Sequence, residues 1–162
     1  MTRIAITGHR NLYGATADKI RAELHERLAQ FITAEGLVTG VSCLADGADA
    51  MFAAAVIDVG ARLVAVVPAA EYRDGLPAEH WPEYDRLLTA ASEVTRLDHT
   101  ESTEQSHMDA SVTMLNDADH LIAVWDGQPA AGFGGTADVV DHARDNDIPV
   151  TIIWPEGAHR GR

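Results

Sequence analysis

Two stretches, Arg62-Leu-Val-Ala-Val-Val67 and His120-Leu-Ile-Ala-Val-Trp125, decide the fold. Each is a short, continuous apolar run, the pattern of a strand buried on both faces. Pro68 closes the first, and a glycine-rich segment, Asp126–Gly135, follows the second. Outward from these, Arg3–Thr7, Leu37–Leu44, the weaker Glu93–Leu97 and Pro149–Trp154 read as further strands. The segments between them read as helices: Ala15–Glu35, Asp46–Asp58, Tyr84–Ser92, Glu104–Ala118 and Thr136 to about Arg144. In the first helix Ile20, Leu24, Leu28, Phe31 and Ile32 fall at helical spacing, with Thr16 or Asp18 as cap and Gly36 as stop. Strand and helix alternate five times before a last strand. That order predicts one Rossmann-like three-layer α/β domain with a mainly parallel sheet of about six strands. The domain is expected over residues 1–155, with 156–162 as a frayed tail.

The 162 residues carry 12 Lys+Arg against 25 Asp+Glu, a formal net charge of −13. No basic stripe offsets it, so nucleic acid and membrane surfaces are not expected as partners. A small anionic ligand remains open, because backbone N–H groups can build a local positive site. The single cysteine, Cys43, excludes an intrachain disulfide and multi-cysteine metal sites, and the eight histidines show no metal-binding spacing. No cofactor motif is present. Neither a secretory signal nor an apolar run approaching the roughly 20 residues of a membrane span occurs, so a cytoplasmic location is expected.

In sheets of this kind ligands bind beyond the carboxyl ends of the strands, where the strand order reverses. Three strand-exit loops are therefore informative. The segment Asp126–Thr136 holds Gly127, Gly132, Gly134, Gly135 and Thr136 and runs straight into a helix. Such a loop can bring backbone N–H groups to a phosphate; Thr136 either assists or serves as a plain N-cap. Its spacing is neither Walker A nor the dinucleotide fingerprint. In Thr7-Gly8-His9-Arg10, Gly8 allows close approach under a base or ribose and His9 faces a base or sugar edge or caps structure. Arg10 clamps an anionic group or pairs with a surface acid. In the third loop, Asp46 and Asp49 flank the site or cap a helix. Asp126 can take a ribose hydroxyl, Trp125 reads as core, and Tyr72 sits in a long connection (Ala69–Pro82) as a lid residue that stacks on a base or packs on the surface.

Thr7-Gly8-His9-Arg10, Asp46-Gly47-Ala48-Asp49, Asn116-Asp117-Ala118-Asp119, Leu121–Gly127 and Gly134-Gly135-Thr136 with Asp138 follow one another in order. This ordered set resembles the SLOG superfamily, which includes LONELY GUY phosphoribohydrolases and the DNA-processing protein of natural transformation. The resemblance covers the chain to Pro155. It implies binding of a nucleotide or nucleotide-derived ligand, with phosphate at the Gly134-Gly135-Thr136 helix start. LONELY GUY enzymes carry PGGxGTxxE; here Ala131 stands at the proline, Gly132 and Phe133 at the glycine pair, and Val139 at the glutamate. Valine cannot accept a proton or stabilise an oxocarbenium ion. Asp138, the one catalytic candidate, lies about 100° away around the helix.

The expected function is binding or sensing of a nucleotide, such as a nucleoside monophosphate or an ADP-ribose-like ligand, without a cofactor. The ligand-binding residues expected are Gly8, His9, Arg10, Asp46, Asp49, Tyr72, Asp126, Gly132, Gly134, Gly135 and Thr136. The alternative is an N-glycosidase that releases the base from a nucleoside monophosphate. A two-fold homodimer is expected from the apolar circumference of the helices beginning at Asp46 and Glu104.

Overall fold

The computed structural model describes residues 1–161. Six strands, β1 (Thr2–Gly8), β2 (Val38–Ser42), β3 (Arg62–Val67), β4 (Glu93–Arg96), β5 (His120–Val124) and β6 (Val150–Ile153), alternate with five helices. These are α1 (Gly14–Glu35), α2 (Ala48–Asp58), α3 (Trp81–Ala90), α4 (Glu104–Asn116) and α5 (Thr136–Asp145). The sheet order is β4-β3-β2-β1-β5-β6, and every pairing is parallel. Helices α1, α2 and α3 pack together on one side, and α4 packs with α5. The result is a Rossmann-like three-layer α/β domain, as the alternating apolar runs require.

The central strands are apolar because both their faces are covered. Ile4, Ala5, Ile6, Leu121, Ile122, Ala123 and Val124 have no solvent exposure. The apolar circumference of α2 is spent the same way, inside the chain. Phe52, Ala53, Ala55 and Val56 are buried, and α1, α3 and strands β1–β3 lie against the helix. That removes α2 from the argument for a dimer.

Three local expectations change. Helix α1 has Tyr13 at its N-cap with no side-chain cap; Thr16 is buried and takes the N–H of His159 instead (3.2 Å). Helix α3 starts at Trp81, earlier than its apolar pattern, because Pro82 fits the first turn, where the lost N–H has no partner to lose. The connection before α3 is not structureless. It holds two 3₁₀ turns, Arg73–Gly75 and Ala78–His80, and is pinned by Ala70 N–H to His99 O and Glu71 N–H to Thr100 O (2.8 and 3.0 Å).

The C-terminal segment, expected to fray, is tied back across the start of α1. Lys19 Nζ donates to Glu156 O (3.1 Å) and Gly161 N–H to Asn11 O (2.7 Å). No helix among the described residues is long and apolar enough to cross a membrane.

Candidate functional site

The sheet grows from β1 in two directions: β2, β3 and β4 on one side, β5 and β6 on the other. The order therefore reverses between β1 and β5, and their carboxyl ends face a cleft of about 470 Å³. Gly8, His9, Arg10, Asp49, Tyr72, Gly132, Gly134, Gly135 and Thr136 line it. Asp46 and Asp126 stand behind the wall, each holding an arginine. Arg10 donates from Nε and Nη2 to Asp46 Oδ1 (2.9 and 2.6 Å), and Arg160 Nε donates to Asp126 Oδ2 (2.9 Å).

The phosphate-loop side is built at the start of α5. Gly135 is the N-cap, and no side chain caps the helix, so Thr136 is its first helical residue rather than its cap. Gly135 N–H donates to Gly132 O (3.3 Å), and the N–H groups of Asp138 and Val139 turn back to Gly135 O. Among the described residues the N–H groups of Thr136 and Ala137 have no acceptor, and both residues line the cleft. Those are the orphan donors of a helix start, where the macrodipole favours an anion. Asp138 does not reach the cleft; its Oδ2 accepts from Gly134 N–H (2.9 Å) and fixes the loop, which Gly134 enters at φ +82°. Val139, at the position of the missing glutamate, is buried.

Two glycines, Gly8 and Gly135, are set by packing within the chain rather than by a ligand. A Cβ on Gly8 would lie 2.5 Å from Ala48 Cβ and 2.8 Å from Val124 Cβ. The close approach at Gly8 is thus that of α2, not of a ligand. A Cβ on Gly135 would meet Ala130 Cβ at 2.9 Å, inside the loop rather than over the cleft.

The opposite wall comes from the end of β2, the start of α2, and α4. Neither Asp46 nor Asp49 caps α2; Gly47 is its N-cap, and no side chain caps it. Among the described residues Asp49 is the one carboxylic acid lining the cleft. Burial pushes it up to about 7, although the Ala45 backbone and Arg10 pull the other way. Tyr72 is not a lid. It is buried, with its ring edge-on to Tyr84 (6.0 Å) and His107 (5.6 Å), and burial lifts its phenol well above the ordinary value. Cys43 and Met114 complete an apolar floor. His107 is held below its ordinary value by burial, then by Arg10.

Trp125, expected in the core, is half-buried, lines the cleft and donates from Nε1 to Gln128 O (2.8 Å). His9 is buried edge-on to Trp154 (5.5 Å). Burial, then Arg160, lowers its pKa and keeps the ring neutral. Its Nε2 lies 3.0 Å from Asp126 N and 3.2 Å from Asp126 Oδ1, and its Nδ1 lies 3.5 Å from Arg160 Nη1. Burial opposes ionisation of Asp126, but the Gln128 N–H, His9 and Arg160 together hold its carboxyl below the ordinary range. Asp126 is thus an anchor for Arg160, a cleft residue that the sequence reading missed by treating the tail as frayed. Among the described residues, no three His, Cys, Asp or Glu side chains lie together as a metal site.

No family model and no curated protein matches the chain. Solved structures do. DNA processing protein A (DprA) from Streptococcus pneumoniae superposes with a TM-score of 0.70 at 14% identity, over 96% of this chain and 51% of its own. The same protein from Helicobacter pylori, described with a single-stranded DNA binding mode, gives 0.67 at 13%, over 98% and 68%. TM1055, a structural-genomics target, gives 0.60 at 16%, over 93% and 72%. The Moco carrier protein from Chlamydomonas reinhardtii gives 0.55 at 18%, over 96% and 78%.

The chain shares the Rossmann-like fold of these proteins. It spans about half the length of the Streptococcus protein. The expectation that nucleic acid is excluded is overturned, since a protein of this fold is described with a single-stranded DNA binding mode. A net charge of −13 describes the whole surface and not one cleft. At the cleft Arg10 and Arg160 face inward while their partners Asp46 and Asp126 lie behind the wall.

Proposed function

We propose that the cleft binds a phosphorylated nucleotide or nucleotide-derived ligand. Its phosphate lies at the start of α5, and its base lies toward the Cys43, Tyr72 and Met114 floor. One observation carries this reading: Thr136 and Ala137, whose N–H groups have no acceptor among the described residues, line the same cleft as Arg10 and Arg160. Backbone donors at a helix start, backed by guanidinium groups, suit a phosphate dianion. The Rossmann-like fold, shared with DNA processing proteins and a Moco carrier protein, is consistent with a nucleotide-related ligand. Isothermal calorimetry with AMP, ADP, adenosine and a short oligo(dT) tests it. Binding of the phosphorylated mononucleotides and not of adenosine is expected. Binding of adenosine alone, or of nothing, overturns the reading, and tighter binding of oligo(dT) moves the ligand class to single-stranded DNA.

A second reading, N-glycosidic cleavage of a nucleoside monophosphate, is favoured by one residue. Asp49 is a cleft carboxyl still partly protonated near pH 7, as a general acid for a leaving base must be. Incubation with AMP that releases free adenine, and loses that release in Asp49→Asn, supports it.

A further inference from the structure

The segment after β6 holds a fixed course over the β1–α1 loop. Glu156 O accepts from Lys19 Nζ, His159 N–H donates to Thr16 Oγ1, and Gly161 N–H donates to Asn11 O. These three ties bracket Arg160 and carry it to the rim of the cleft, which it lines from the side of β5. There Arg160 Nε is held by Asp126 Oδ2 at 2.9 Å. Asp126 is itself fixed: only 16% of its side chain is exposed, and it is held by Gln128 N–H (3.0 Å) and by His9. An arginine guanidinium has five N–H donors in a rigid fork. The Asp126 contact uses Nε, and Nη1 lies 3.5 Å from His9 Nδ1, which leaves Nη2 for a ligand.

A plain surface ion pair gains little and needs no such staging. Here elements from both ends of the chain converge to set one guanidinium in place. On a protein of net charge −13, the anion-facing donors of the cleft form two groups. One is the pair of N–H groups at the start of α5; the other comprises the guanidinium groups, Arg10 held by Asp46 and Arg160 held by Asp126.

We propose that Arg160 forms a second anion subsite, so that the preferred ligand carries two phosphoryl groups in series, as a nucleoside diphosphate does. This rests on the reading of the cleft as a nucleotide site. The first phosphoryl group occupies the Thr136–Ala137 N–H pair, and the next meets the Arg160 fork.

Calorimetric titration of the whole chain with AMP and ADP separates the two ideas, with wild type, Arg160→Ala and Arg160→Lys compared after matching thermal midpoints. Wild type is expected to bind ADP at least about 10-fold more tightly than AMP. Arg160→Ala should lose about 10- to 150-fold on ADP, the usual worth of a charge-assisted fork, and several-fold less on AMP. Arg160→Lys should regain part of the loss, since lysine keeps the charge without the fork. Equal affinity of wild type for AMP and ADP, or equal losses on both ligands in Arg160→Ala, overturns the second subsite and leaves the nucleotide reading standing. Failure of wild type to bind either nucleotide overturns both.

Discussion

Helices α2 and α5 begin alike in sequence, each after a strand-exit loop and each on glycine, yet their first turns serve opposite ends. At α2, Ala48 N–H donates to His9 O (3.1 Å) and Ala50 N–H to Ala45 O (3.0 Å). A Cβ on Gly47 would lie 2.5 Å from Arg10 O. The β1–α1 loop plugs that helix start. At α5 no acceptor among the described residues takes the Thr136 and Ala137 N–H groups. A glycine before a helix therefore signals a tight backbone approach without saying what approaches. The destination of the first N–H groups distinguishes packing from binding.

The strongest way to break this contrast is to crowd the packed side. Gly8→Val should cost about 3 kcal/mol, the upper end of overpacking, because the new side chain meets Ala48 and Val124. The thermal midpoint should fall by about 6–12 °C for a chain of this size. An unchanged midpoint would mean that α2 can move off β1. On the open side the informative change is Thr136→Pro. Proline is tolerated at the first helical position, and Gly135 before it is already extended at ψ 176°. The variant removes one orphan N–H and little else, so phosphate-bearing ligands should weaken by about 10- to 150-fold at constant stability. Retained affinity in calorimetry would place the anion elsewhere.

Arg10 sharpens the comparison because it belongs to the packed side in sequence and to the cleft in space. Its guanidinium already gives two nitrogens to Asp46, so Arg10→Ala should weaken AMP by about 10-fold, toward the lower end of the range for charged hydrogen bonds. Arg10→Lys should restore part of that, and adenosine should be indifferent to either change. The smallest effect concerns Asp49. A carboxyl raised to about 7 when folded, against an ordinary value near 4, binds a proton in the native state that the unfolded chain releases. Its contribution to stability is therefore greatest below about pH 4 and is lost as the pH rises toward 7. Asp49→Asn should raise the thermal midpoint by about 2–4 °C at pH 8, near 1 kcal/mol, and leave it unchanged at pH 4. A gain of the same size at both pH values would mean that Asp49 does not change its protonation between them.

The strands were legible because burial on both faces leaves a continuous apolar run; Arg62–Val67 is a strand over its whole predicted length. Element edges were less so, since Trp81-Pro82 looks like loop until the tolerance of a first helical turn for proline is considered. The two glycine loops were read from composition, and both reach the cleft. Their division of labour was hidden, because it depends on contacts across the chain such as Ala48 with Gly8 and Ala130 with Gly135. Tyr72 looked like a lid because its loop is long, whereas the backbone ties to His99 and Thr100 fold that loop inward. Arg160 left no local signal at all: only the return of the chain to Asn11 and Thr16 brings it to Asp126.

Cys43 gives the cleft a built-in gauge. It is the one thiol of the chain, 7% exposed, on the floor beneath the proposed base position and in contact with Met114 Sδ (3.8 Å). Burial holds the thiol well above its ordinary pKa, so it alkylates slowly. A small thiol reagent reaches it by way of the open cleft, so the labelling rate reports how often that path is vacant. Any molecule seated over Cys43 should slow labelling in proportion to occupancy, which turns one buried sulfur atom into a footprinting probe for a library of unlabelled compounds.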